Sequence, residues 1–244
     1  MRTHVFRPVA AGRYPGIVLY SEIFQVTPPI RRTAAFLAGH GYVVAVPQIW
    51  HEFEPAGSSL AYDQAGADRG NALKLLKEVP AIDGDARATV DFLKTHPSCT
   101  GRIGALGICV GGHLSYRASI VCPEIRATAC FYATDLHKGS LGKGGDDTLL
   151  RTGELKSELL LIWGRQDPHV PRDGRRKIYE AVGDSGVEFT WHEFNGQHAF
   201  LRDEGHRHDP ALTLLCQQLV LELFHRRLGE GDGAVAAGSA ESRH

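Results

Sequence analysis

The sequence predicts a single α/β domain built on an open, mostly parallel central sheet covered by helices on both faces. Three observations carry this prediction. Several short runs are apolar almost throughout: Ile17-Val18-Leu19, Tyr42-Val43-Val44-Ala45-Val46 and Leu159-Leu160-Leu161-Ile162-Trp163. Amphipathic segments lie between such runs, and turn residues mark the joins. A strand wetted on one face alternates apolar and polar residues, whereas one that is apolar at every position is buried on both faces. Strands alternating with helices in this way form a doubly wound sheet, whose functional site lies beyond the C-terminal strand ends.

Taken in order, the apolar runs predict strands near Gly16–Ser21, Tyr42–Pro47, Arg102–Ile108, Ala127–Ala133, Leu159–Gly164 and Val187–Phe194. Helices are predicted over Pro29–Leu37, around Ala86, Val90 and Leu93, over Leu114–Val121, and over Arg172–Val182. A last helix carries Leu212, Leu215, Cys216, Leu219, Val220 and Leu223, which recur with a helical period. Leu136–Gly153, rich in Gly, Lys and Asp, reads as a long surface loop. Its Gly139–Gly145 stretch lacks the spacing and the Lys-Ser/Thr pair of a phosphate loop. The folded domain is expected over residues 1–228, with 229–244 a disordered tail of Gly, Ala, Ser and scattered charge.

Composition narrows the function classes. In 244 residues, 43% hydrophobic and 23% charged content is ordinary for a globular chain. A formal net charge of −1 supplies no global field for nucleic acid or an anionic membrane. No run approaches the roughly 20 apolar residues needed to span a bilayer, and Met1–Pro8 does not read as a signal peptide. The five cysteines, Cys99, Cys109, Cys122, Cys130 and Cys216, are odd in number and form no C-x-x-C pair. That argues against a disulfide framework or a zinc site. His206 and His208 have no third ligand at a metal-binding spacing and read as surface residues. The expectation is a reduced cytoplasmic protein with no metal or cofactor, no nucleic-acid or membrane partner, and a monomer as the default.

One cysteine stands out. Arg102–Ile108 runs into Gly107-Ile108-Cys109-Val110-Gly111, and a helix pattern follows. This is the strand–turn–helix nucleophile elbow of α/β-hydrolases, G-x-S-x-G, with cysteine in the serine position. Side chains at the flanking glycines would collide with neighbouring backbone. The helix N-terminus favours thiolate, and the Val110 amide is placed for an oxyanion. A thiol nucleophile needs a base, and the base an orienting acid, in the chain order nucleophile, acid, histidine. Asp167 follows the strand Leu159–Gly164 in a Pro-rich turn, and His198 follows the last strand in Asn195-Gly196-Gln197-His198.

With these residues in place, the chain resembles the dienelactone hydrolases (carboxymethylenebutenolidases), thiol-dependent α/β-hydrolases. The likeness runs from about Pro15 to about Phe224. It rests on Ser21-Glu22-Ile23-Phe24, Gly107-Ile108-Cys109-Val110-Gly111-Gly112, Gly164-Arg165-Gln166-Asp167 with Val170-Pro171, and Gly196-Gln197-His198-Ala199-Phe200. The resemblance implies Cys109 as nucleophile, His198 as base, Asp167 as its partner, and Glu22 as a carboxylate contacting the resting thiol. It also implies an oxyanion hole from the Ile23 and Val110 amides, and Arg69 and Arg202 as holders of a substrate carboxylate. A guanidinium fork suits that task. The sequence departs from the family at Leu73 and Leu76, where aromatic residues are expected, and at Gln48 after Pro47, where an acid is expected. Both departures are expected near the pocket.

The implied activity is hydrolysis of a carboxylic ester or lactone through a Cys109 acyl intermediate, with an enol-lactone bearing a second carboxylate as the expected substrate. A glutamine amidotransferase would place Glu two residues after the histidine, where Phe200 stands. The alternative that stays open is a degenerate hydrolase fold acting as a binding or scaffold protein without turnover.

Overall fold

The apolar runs become the inner strands of one seven-stranded sheet. The computed structural model describes residues 1–229, so the predicted tail falls outside the described residues from position 230 onward. The strands are β1 (Thr3–Phe6), β2 (Tyr14–Tyr20), β3 (Val43–Pro47), β4 (Cys99–Ile108), β5 (Ile125–Phe131), β6 (Glu158–Gly164) and β7 (Phe189–Phe194). Their spatial order is β1-β3-β2-β4-β5-β6-β7. Every pairing is parallel except that of β1 with β3. The helices are α1 (Pro28–Gly39), α2 (Gln64–Leu76), α3 (Val79–Thr95), α4 (Val110–Val121), α5 (Arg172–Gly183) and α6 (Pro210–Leu228).

Strand alternation sends successive side chains to opposite layers. Ile17, Leu19, Val44, Val46, Leu106, Ile108, Leu160 and Ile162 pack against Ile30, Ala34 and Leu37 of α1 and Cys216, Val220, Leu223 and Phe224 of α6. On the other face, Val18, Tyr20, Val43, Ala45, Ile103 and Ala105 meet Ala86, Val90 and Leu93 of α3 and Leu114 and Ala118 of α4. Leu159, Leu161 and Trp163 continue that layer against Ile178 and Val182 of α5. Helices thus cover both faces, as predicted. Near the middle of the sheet, β4 passes directly into α4, all of whose residues but Val121 are buried.

Three expectations need correction. The edge strand β1 was not predicted, because four half-exposed residues carry no periodic signal. The helix α2, which carries Arg69, was not predicted either: it begins at Gln64, where the Asp63 side chain accepts from the Gly66 amide at 2.8 Å. Nor is Leu136–Gly153 a loose surface loop. It contains short 3-10 turns at Leu136–Lys138 and Thr148–Glu154, and Leu136, Leu141 and Thr148 are fully buried. The buried Asp146 carboxylate holds this segment down. It accepts from the amides of Leu141 and Thr148 at 2.8 and 2.9 Å, and from His113 Nε2 of α4 at 3.1 Å.

Candidate active site

Cys109 alone makes the turn between β4 and α4, with φ 63° and ψ −124°. A residue with a Cβ resists this conformation, so neighbouring structure must hold it there. A Cβ on Gly107 would lie 1.8 Å from the Gly111 carbonyl oxygen, and one on Gly111 would lie 2.3 Å from that of Tyr20. Glycine at both positions is therefore required by close backbone approach. The Cys109 amide donates to Phe131 O at 3.1 Å, and its carbonyl accepts from Gly112 and Thr134 at 2.9 and 3.3 Å. Pinned in this way, the sulfur sits at the α4 N-terminus, 8% exposed and 3.8 Å from Thr134 Oγ1.

β6 delivers Asp167 and β7 delivers His198, and His198 Nδ1 lies 2.7 Å from Asp167 Oδ2. The other Asp167 oxygen accepts from the His169 amide at 2.7 Å, which fixes the carboxylate plane. The His198 ring also meets Tyr132 and His169 edge to face, at 4.9 and 4.6 Å between centroids. Burial works against its charged form but is outweighed by the Cys109 sulfur and by Asp167, so its pKa is pushed up to about 10. For Asp167, burial alone would raise the pKa. The His198 hydrogen bond and charge, with the His169 amide, hold it below the ordinary carboxylate range instead. Acid, imidazole and sulfur thus form a line in which positive charge on the ring is stabilised from both sides.

These groups open onto a cavity of about 520 Å³ whose walls include Glu22, Ile23, Cys109, His198, Ala199 and Arg202. Glu22 is 2% exposed and accepts from Tyr62 OH at 3.0 Å. Burial raises its pKa, while Arg202, His198 and Tyr62 pull the other way without cancelling the shift. Arg202 Nη1 stands 4.0 Å from Glu22, and its guanidinium lies over the Tyr62 ring at 4.3 Å. The expected Glu22–Cys109 contact takes a different form: among the described residues no hydrogen bond joins them, because Tyr62 and Arg202 occupy the carboxylate. Ile23 is braced from behind, its carbonyl accepting the Trp50 indole N–H at 2.8 Å.

Arg69 is the clear miss. It is half-exposed, bonds Glu54 at 2.7 Å, and is absent from the cavity wall. Helix phase explains why. Ala67, Asn71 and Lys74 line the cavity at i, i+4 and i+7, and Arg69 is turned by about 200° from Ala67. The departures at Leu73, Leu76 and Gln48 also lie off the wall. Leu73 is core, Leu76 is exposed, and Gln48 braces its own loop through Pro55 O and Gly57 N, both at 2.7 Å. Sequence reasoning missed Tyr62, Thr134, Lys74, Asp135, His169 and Arg207, which do line the cavity or contact its groups. All but His169, which follows Asp167 in the same turn, come from segments without a motif, and only the tertiary fold gathers them.

A second cluster, His51, Glu52 and Asp85, brings potential metal ligands within 4.8 Å of one another. The buried Lys77 ammonium already fills it, 2.6 Å from Asp85 and 3.0 Å from Glu52. His206 is exposed and His208 half-buried. No helix among the described residues is long and apolar enough to cross a membrane.

Comparison with known proteins shows the family of the chain and the likeness of its fold. The model of the dienelactone hydrolase family matches residues 1–228. A Saccharomyces cerevisiae protein named "Putative carboxymethylenebutenolidase" is 40% identical over 240 residues, covering 93% of this chain and 87% of its own. The carboxymethylenebutenolidase of Pseudomonas sp. strain P51 is 28% identical over 219 residues, covering 89% and 87%. Among solved structures, a Klebsiella pneumoniae "Putative Dienelactone Hydrolase" superposes with a TM-score of 0.79 at 18% identity, covering 92% of each chain. At that identity the likeness is one of fold.

Proposed function

This chain belongs to the dienelactone hydrolase family, and from that premise we propose that it hydrolyses carboxylic esters or lactones through a thioester on Cys109. The observation that carries the reading is the Asp167–His198–Cys109 line at the elbow, with the 2.7 Å Asp167–His198 bond as its fixed joint. The raised proton affinity of His198 suits the ring to take the Cys109 proton, leaving imidazolium beside the attacking thiolate. The thiolate attacks the substrate carbonyl, and the oxyanion is received by the Ile23 and Val110 amides. The tetrahedral adduct collapses to a thioester as the C–O bond breaks, and His198 gives its proton to the departing oxygen. Neutral His198 then takes a proton from water, hydroxide adds to the thioester carbonyl, and the carboxylic acid leaves as the thiolate is restored.

Glu22 acts through charge. A thiolate and a carboxylate in one cavity repel, and burial already biases Glu22 toward its protonated form. A substrate carboxylate that engages Arg202 takes away part of Glu22's compensation. That strengthens the bias and removes the repulsion. Enolates and phenolates are suitable leaving groups; poor leaving groups return to the carbonyl by expelling the better-leaving thiolate.

Aryl ester and enol-lactone turnover by wild type and Cys109→Ala, with site-resolved iodoacetamide labelling, tests the reading. The expectation is preferential labelling of Cys109 over the four other cysteines and loss of turnover in the variant. Indiscriminate labelling with no turnover would instead support a scaffold protein.

A further inference from the structure

The sheet has two edges, and the structure protects only one of them. β1 is four residues long, with Arg2 before it and Arg7-Pro8 after it. Short strands, basic side chains and proline keep an edge from pairing with another chain. β7 runs Phe-Thr-Trp-His-Glu-Phe, with no proline and one charge. That charge, Glu193, is turned onto the α5 layer, 3.2 Å from Arg175 and 3.2 Å from the Trp191 indole nitrogen. β7 pairs with β6 alone. The Glu188 and Phe194 carbonyls accept from the Leu159 and Arg165 amides at 3.0 and 2.8 Å. In a parallel ladder both backbone groups of one residue point to the same side, so the even-numbered residues of β7 face β6. The N–H and C=O groups of Phe189, Trp191 and Glu193 therefore point outward, and no described residue bonds them.

We propose that this edge pairs antiparallel with the same edge of a second copy, giving a dimer with one continuous sheet. The monomer expected from the sequence leaves the edge bare. A two-fold axis perpendicular to the sheet keeps each face on its own side, and it uses up both edges, so assembly stops at two. Residues opposite each other in an antiparallel pair share a face. Centred on Trp191, the pairing sets Phe189 of each copy opposite Glu193 of the other and bonds every outward group. The Tyr179 ring, 49% exposed, lies edge-on to Phe189 and Trp191 and supplies an apolar flank. Charge selects the partner. α5 runs antiparallel to β7, because Arg175 meets Glu193 and Tyr179 meets Phe189. The exposed Arg172 and Arg165 therefore lie at the C-terminal end of β7, and the exposed Asp184 and Glu188 at its N-terminal end. Arg165, Arg172 and Asp184 form no salt bridge with any described residue. Self-pairing lays the basic end of each copy beside the acidic end of the other, which fixes both partner and register. None of these residues lines the cavity, so the interface does not depend on its chemistry.

Sedimentation velocity of the full chain over a concentration series tests the proposal, with circular dichroism to check that each variant is folded. The wild type is expected to pass from monomer to dimer as concentration rises. Glu193→Pro removes an outward amide and leaves the β6 ladder intact. With two hydrogen bonds lost per dimer, it should raise the dimer Kd about five- to hundredfold. Glu193→Gln keeps the amide and should stay close to wild type. Arg172→Glu, exposed and outside the strand, should raise Kd about three- to thirtyfold, because the axis counts each lost pair twice. Adding Asp184→Arg should restore the affinity by exchanging the two signs. If Glu193→Pro does not fold, this exposed charge pair still decides. A wild type that sediments as a monomer throughout would overturn the proposal. So would a dimer unmoved by Glu193→Pro and Arg172→Glu, or a double variant no tighter than Arg172→Glu.

Discussion

Replacing Asp167 by Asn keeps the shape of the acid and inverts its chemistry. One Asp167 oxygen accepts from the His169 amide, and the other accepts from His198 Nδ1, both at 2.7 Å. An Asn can keep the first bond only by turning its NH2 group toward His198. Nδ1 must then accept, which leaves the ring proton on Nε2, facing the thiol it should deprotonate. Losing one charged hydrogen bond costs roughly 1.5–3 kcal/mol, and stranding one member of a buried pair roughly 3–5 kcal/mol. At about 1.4 kcal/mol per decade, Asp167→Asn should lower kcat/KM for an aryl ester by about ten- to several-thousandfold. The labelling rate gives a second readout. Asp167 helps raise the His198 pKa to about 10, so in the variant the ring is a weaker acceptor for the Cys109 proton. Iodoacetamide labelling of Cys109 should then be slower than in the wild type at neutral pH. If both the labelling rate and kcat/KM at pH 7 stay within about threefold of wild type, the triad argument fails; a threefold change is under 1 kcal/mol.

Two further outcomes concern stability. Asp146→Asn removes the carboxylate that ties the Leu141–Thr148 segment to His113 of α4, where both side chains of the pair are fully buried. A loss of about 3 kcal/mol should lower Tm by roughly 6–12 °C. The His113 bond and charge hold the folded Asp146 pKa well below the unfolded value. Its stabilisation is therefore full above the ordinary carboxylate range and is lost as pH falls through the folded value. The Tm gap between wild type and variant, followed by calorimetry, should stay constant from neutral pH down to the ordinary carboxylate range and shrink only as pH falls below it. Glycine replacement gives a contrasting pair. Gly111→Ala drives a Cβ to 2.3 Å from Tyr20 O and should prevent soluble expression, whereas Gly84→Ala in α3 meets nothing within 4 Å. The latter should raise stability by about 0.5–1 kcal/mol in a denaturant titration.

What was legible in the sequence is what local rules fix. Strands buried on both faces announce themselves as unbroken apolar runs, and β2, β3 and β6 are such runs. The elbow is legible because its geometry forces glycine at Gly107 and Gly111 within five residues. Asp167 and His198 are legible because a parallel sheet delivers every strand end to the same edge. What was not legible depends on the phase and contact of distant segments. Arg69 was placed by the family resemblance, but the phase of α2 is set by the Asp63 cap, and that phase turns Ala67, Asn71 and Lys74 inward. The Leu136–Gly153 segment has the composition of a loop. It is packed because one carboxylate, Asp146, meets a histidine 33 residues away, a pairing with no local signature.

Backbone strain separates a working site from an inherited shell. Five non-glycine residues among those described have positive φ: Gln25, Cys109, Tyr132, Asp135 and Ala199. Cys109, Asp135 and Ala199 line the cavity, and Tyr132 packs its ring on His198. Gln25 stands three residues after Glu22 and accepts from the Trp50 amide at 3.2 Å, beside the indole that braces Ile23. Each such conformation costs on the order of 1–3 kcal/mol. Together they approach the net stability of an ordinary domain. A binding scaffold has no need to keep all of that strain around a single thiol. Relaxing Cys109 alone would swing its sulfur away from His198, and relaxing Ala199 would disturb the turn that presents the imidazole. The strain is concentrated where thiol, imidazole and the cavity wall must keep fixed relative positions, which is the requirement of turnover and not of mere binding.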